Sequence, residues 1–184
     1  MKSSKWIGWY AAFFFLGIFN PVTGLASTPR AEITHLVIKN TEDSLLVDLK
    51  IDSDFTPETK AAVLNGVPIR FTISISLFEV NDLWFDKKVA DLTAIHELRF
   101  DAIKKVYKIT RSRGILRPIY IEDFDSARRH ISEISDLAVI SLADLKKGDH
   151  YQLMVGAVLS LKKFFLFKFY RELKTDRYTV NFIY

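Results

Sequence analysis

The chain contains no cysteine. That absence excludes disulfides, thiolate metal sites, a cysteine nucleophile and a lipid-modified cysteine anchor. Glycine and proline are scarce, seven and five in 184 residues, which excludes a collagen-like repeat or a flexible linker array. The glycines never cluster, so no phosphate-cradling loop is present. An excess of one charge is lacking too, with 26 basic residues against 22 acidic. Nucleic acid is therefore not an expected partner. What the chain does have is apolar and aromatic mass, 49% and 14% of its residues, too much for a disordered protein. Its length fits one domain.

The first 26 residues read as a secretory signal. Lys2 and Lys5 supply positive charge, and Trp6 to Phe19 is an uncharged apolar run of fourteen residues. Asn20-Pro21 breaks the run, and Gly24-Leu25-Ala26 places small residues at −3 and −1 of a cut before Ser27. Fourteen residues fall short of the roughly 20 that span a bilayer. The competing reading is an uncleaved anchor. Loss of Lys2 and Lys5 lowers the net charge from +4 to +2. The expected product is an exported domain of residues 27–184, in the periplasm or cell envelope and large enough to bury a core without disulfides.

Period-two alternation dominates that domain. Leu45, Val47, Leu49 and Ile51 share one face; so do Ile69, Phe71, Ile73, Ile75 and Leu77. Leu92, Ala94, His96, Leu98 and Phe100 form a third face, Leu153 to Leu161 a fourth, and Tyr178, Val180, Phe182 and Tyr184 a fifth. Such alternation means strands with one buried side. Ile33–Lys39 is a shorter strand pairing with 45–52, Tyr107 and Ile109 lie on a hairpin return, and Pro118 marks 115–121 as an edge. Thr56-Pro57-Glu58 starts a helix that Asn65-Gly66 ends. Asp123 caps a second helix with Phe124, Ala127, Ile131 and Ile134 on its apolar face. The fold class expected is mainly β, an antiparallel β-sandwich (immunoglobulin-like or related) with two short helices. A closed barrel is the alternative, including a small outer-membrane barrel.

The order of Leu64-Asn65-Gly66-Val67-Pro68-Ile69, Leu83-Trp84-Phe85-Asp86-Lys87-Lys88-Val89-Ala90, Phe100 with Tyr107, Gly148-Asp149-His150-Tyr151 and the closing Asp176–Tyr184 segment is distinctive. It resembles the bacterial family of exported proteins known only as domain of unknown function 4390. The resemblance spans nearly all of 27–184. It implies export and a single domain, and it brings no activity and no catalytic residue.

Chemistry-bearing motifs are sparse. His35, His96, His130 and His150 show no close metal-ligand spacing, and neither G-x-S-x-G nor H-E-x-x-H occurs. Asp123 of the Asp123/Asp125 pair is explained as a cap. No catalytic residue, metal or cofactor is assigned, and an unrecognised envelope enzyme stays as a minor alternative. His96 lies on an apolar strand face, where a buried neutral imidazole with its ring N–H hydrogen-bonded is expected. The basic residues Lys104, Lys105, Lys108, Arg111, Arg113 and Arg117 alternate between faces if extended, so they do not form one patch.

Two clusters are candidate interaction surfaces. Trp84, Phe85, Asp86 and Lys87 lie between two strands. The bland reading folds Trp84 over an open sandwich end while Asp86 bonds turn amides; the sharp one exposes the aromatics to a partner. In Lys162–Arg171, an extended chain puts Phe165, Phe167 and Phe169 on one face, facing either the core or a membrane or partner. The function expected is a non-catalytic binding or scaffolding module acting on an envelope protein or membrane surface.

Overall fold

The computed structural model describes residues 30–162 and 170–184. Ten strands and two helices follow in the order β1 (Ala31–Asn40), β2 (Ser44–Ser53), α1 (Pro57–Leu64), β3 (Ile69–Glu79), β4 (Lys87–Asp101), β5 (Val106–Arg111), β6 (Ile119–Ile121), α2 (Phe124–Ser132), β7 (Glu133–Ser141), β8 (His150–Lys162), β9 (Tyr170–Lys174) and β10 (Tyr178–Ile183). All pairings are antiparallel. A three-stranded sheet, β1-β2-β7, faces a seven-stranded one, β10-β8-β3-β4-β5-β6, with β9 also on β8. The molecule is a β-sandwich whose sheets are not closed into a barrel.

Burial follows the alternation except on β10, where Tyr178 is exposed and Val180 and Phe182 are only half-buried. Ile69, Phe71, Ile73, Ile75 and Leu77 are all fully buried, and Leu45, Val47, Leu49 and Ile51 oppose them from the small sheet. On the outer face of the large sheet, Glu97 accepts from Arg70 and Arg99, both at 2.5 Å. Apolar inside and ion-paired outside is the reverse of an outer-membrane barrel, whose outward band is apolar. The barrel alternative is therefore wrong. Among the described residues no helix is long and apolar enough to cross a membrane.

Three strands cannot cover seven, and the helices complete the cover. α2 packs over β4, β5 and β6 and buries Phe124, Ala127 and Ile131 there. Phe124 meets the rings of Tyr107 and Phe55 at 5.6 and 6.2 Å. Asp123 caps the helix by accepting from the Ser126 N–H at 2.8 Å. α1 carries the chain from one sheet to the other. Thr56 caps it, and Gly66 at φ +82 reverses it. The Gly66 and Val67 N–H groups bond the Val63 and Ala62 carbonyls at 2.9 and 3.0 Å, a Schellman closure.

One helix boundary needs correction. Ile134 belongs to β7, not to the second helix, which ends at Ser132. The strand itself escapes a period-two reading because Asp136 sits at φ +55 in a bulge. Its buried residues Ile134, Leu137 and Val139 are consequently spaced three and then two apart. His96 is buried as expected, at 2% exposure, and hydrogen-bonds the Ile131 backbone. Its Nδ1, however, has no hydrogen-bond partner among the described residues.

Candidate interaction surface

The segment joining β3 to β4, residues 80–86, is a loop with a fastened base and a bare tip. The Val80 N–H donates to the His150 carbonyl at 2.8 Å, tying one arm to the start of β8. The Asn81 N–H donates to Asp86 Oδ1 at 3.2 Å and closes the loop across its neck. Below the neck, Lys146 Nζ meets Glu79 Oε1 at 2.5 Å. That hydrogen bond holds the Glu79 carboxyl below its ordinary range, against the smaller effect of desolvation. On the other arm, Lys88 meets Asp91 at 2.8 Å and lies 5.7 Å over the Phe78 ring. The Asp91 carboxyl is lowered by Lys88 and then by the Ser76 hydroxyl.

Above that base stand Leu83, Trp84 and Phe85, exposed by 90%, 82% and 96%. Folding buries almost none of their surface. The expectation that Trp84 folds over the sandwich end fails, although its companion, Asp86 bonding a turn amide, holds. Lys87 is exposed beside them at the start of β4. Phe165, Phe167 and Phe169 lie outside the described residues.

Sequence reasoning missed what surrounds the loop. One cleft of about 350 Å³ runs along it, lined by residues 79–84 and by Gly148, Asp149 and His150. A second, of about 270 Å³, lies between Val80, His150 and the β10 residues Asn181, Phe182 and Ile183. Neither is lined by serine, threonine or cysteine. Among the described residues no three His, Asp or Glu side chains come close enough to hold a metal ion. Gly148-Asp149-His150, noted in the sequence as part of the family pattern, lines the first of these clefts.

The basic run is split mainly by turns, since only Lys108 and Arg111 of its six residues lie on a strand, β5. Arg111 points inward and donates from Nη2 to the His130 carbonyl at 3.2 Å, at the C-terminal end of α2. Arg113 donates to the Thr93 carbonyl at 2.9 Å, and Lys104 lies 5.4 Å over the Tyr120 ring.

Residues 28–166 match the family described as "Domain of unknown function (DUF4390)". The chain belongs to the DUF4390 family. The matched span takes in β1 to β8 and hence the bare loop, while β9 and β10 lie beyond it. The DUF4390 resemblance extended through the closing strand; the matched region is shorter. No curated protein and no solved structure matches the chain.

Proposed function

We propose that this DUF4390 protein is an exported, non-catalytic binding module of the cell envelope, and that its partner is an envelope protein docking on Leu83, Trp84 and Phe85. The observation that carries the reading is three consecutive large apolar side chains, each at least 82% exposed, on a loop whose base is hydrogen-bonded. Ordering such a tip gains the domain nothing unless another surface covers it. Trp84 and Phe85 have only two side-chain torsions each, so ordering them on binding costs little entropy. Asp86 and Lys87 frame the tip with both signs of charge, suiting a polar rim around an apolar centre. Export is supported by the Lys2/Lys5, apolar run and Gly24-Leu25-Ala26 pattern of the first 26 residues.

The test replaces Leu83, Trp84 and Phe85 together by Ser in the chain expressed in its host. Thermal stability is expected to change by less than about 1 kcal/mol, as for exposed positions. Crosslinks from a photoreactive residue at position 82 to an envelope protein are expected with the parent tip and lost with the serine tip. Identical crosslinks from both would refute docking here. Sedimentation of the parent chain with protein-free vesicles would move the site from a protein partner to a lipid surface. Mass spectrometry of the recovered chain is expected to find Ser27 as its first residue, and an intact 1–26 segment would replace export by anchoring.

A further inference from the structure

A third cleft lies on a different part of the molecule, where β2 outruns its neighbour. Pairing of β2 with β7 stops at Lys50 and Glu133, while pairing with β1 continues to Ser53. Ile51, Asp52 and Ser53 therefore have β1 on one side and the last turn of α2 on the other. The gap is a cleft of about 220 Å³, lined by Lys50, Asp52, Ser53, Phe55, Arg128, Arg129 and Ser132 among others.

Its lining is rich in cations, two of which, Lys50 and Arg128, also meet the carboxylates Glu133 and Asp125 at the edge. Three basic side chains line it against one carboxylate, the exposed Asp52. Their existing contacts use few of their donors. Arg128 is 4.0 Å from Asp125 and lies 5.9 Å over the Phe55 ring. Arg129 donates to the Ser126 hydroxyl at 2.9 Å, and Lys50 is 3.5 Å from Glu133. A guanidinium carries five N–H donors, so one such contact leaves most of the fork for an oxyanion. The Phe55 ring gives the Arg128 guanidinium a cation–π contact at 5.9 Å without using any of its N–H donors. Two hydroxyl residues at the same place are nearly buried, Ser53 at 7% and Ser132 at 6% exposure. The Ser53 Oγ has no hydrogen-bond partner among the described residues. That Oγ is closed to solvent, so a ligand oxygen in the cleft reaches it only after the Ser53 side chain turns to another rotamer.

We propose that the cleft between the end of β2 and the last turn of α2 binds a phosphate-type oxyanion, held by Arg128, Arg129 and Lys50. The oxyanion comes either from a soluble phosphorylated compound or from a phospholipid headgroup. The site stands apart from the Leu83-Trp84-Phe85 loop, so its fate does not depend on that docking surface.

The experiment titrates inorganic phosphate into the purified chain while amide NMR shifts are followed. Saturable shifts are expected at residues 50–55 and 128–132. Arg129→Gln, an exposed position, should weaken binding by about tenfold, as for loss of one charge-assisted hydrogen bond. Asp52→Asn should tighten it, because the one lining carboxylate is removed. Lys147→Gln, elsewhere on the surface, should change nothing. Should Arg128→Gln loosen the fold through Phe55, Arg129→Gln and Asp52→Asn still decide the matter. A second arm compares co-sedimentation with phosphatidylglycerol and phosphatidylcholine vesicles. Sedimentation with the anionic vesicles that Arg129→Gln abolishes assigns a headgroup, and phosphate shifts without it assign a soluble ligand. Absence of saturable shifts, or equal shifts in Arg129→Gln, overturns the proposal.

Discussion

Ile73 and Ser74 are neighbours in β3, yet one is fully buried and the other faces solvent. Ile73→Asp leaves a carboxyl among apolar side chains with no partner and is expected to cost more than about 4 kcal/mol in a urea melt. Ser74→Asp is expected to stay within about 0.5 kcal/mol. Equal losses would mean the strand is turned over. His96 carries a pH dependence at the same scale. Desolvation, and then the Arg111 charge on the neighbouring strand, push it from 6.5 down to about 4, opposed by the Ile131 backbone hydrogen bond. Between those values the unfolded chain takes up a proton that the folded one refuses. Stability is therefore whole above about pH 6.5 and falls as the pH drops toward 4, by on the order of 3 kcal/mol. The lowered carboxyls Asp48, Glu79, Asp91, Glu97, Asp101 and Asp123 lose their contributions in a more acidic window, below their ordinary values of 3.8 to 4.5. His96→Leu is expected to flatten the slope between pH 6.5 and 4.5 in urea melts at stepped pH. An unchanged slope would place the titrating group elsewhere.

The β7 bulge is the informative element. Asp136 holds φ +55, its N–H donates to Asp48 Oδ1 at 2.7 Å, and its carboxylate meets Lys39 at 2.7 Å. Lys39 also meets Asp48 at 2.6 Å. Burial pushes the Asp48 carboxyl up, but the hydrogen bonds from Lys39 and the Asp136 N–H outweigh it, and the net shift is downward. Positive φ is open to Gly and tolerated by Asp, but strained for a β-branched residue. Asp136→Gly is expected to cost within about 1 kcal/mol, and Asp136→Val about 2 kcal/mol more. Similar melts for the two variants would show that the backbone there is not constrained. At the start of α1, Thr56→Ala removes the oxygen that accepts from the Thr59 N–H at 3.4 Å. Its expected cost is about 1 kcal/mol.

At the scale of the whole molecule, one core links both sheets and both helices, so unfolding of residues 27–184 is expected to be a single transition. Tryptophan emission will report it poorly. Trp6 and Trp9 lie in the first segment, so the domain keeps Trp84 alone, and that ring is 82% exposed. Its emission is expected to stay at the water-exposed wavelength in both folded and unfolded domain, while circular dichroism follows the loss of the sheets. A large red shift on unfolding would place Trp84 in a dry environment and refute the bare loop. A blue shift on adding the docking partner is the matching positive signal.

Alternation by itself determined four buried apolar faces, and cap residues determined both helix starts, because each of these signals depends on near neighbours in the chain. On the fifth face Tyr178 is exposed and Val180, Phe182 and Tyr184 are only half-buried, since no strand of the small sheet covers them fully. Family membership was legible for the same reason, in local strings such as Asn65-Gly66-Val67-Pro68 and Trp84-Phe85-Asp86-Lys87. Only the tertiary structure decided that β7 is a strand, since its bulge hides the period and its support comes from Asp48 and Lys39, far away in the chain. Only it decided the fate of Trp84. A tryptophan between two strands has the same sequence whether it covers the sandwich end or stands clear of it, and the outcome depends on how the Val80–His150 and Asn81–Asp86 bonds aim the loop. The cationic cleft was equally illegible, because Lys50 and Arg129 become neighbours only where the pairing of β2 and β7 runs out and α2 takes the strand's place.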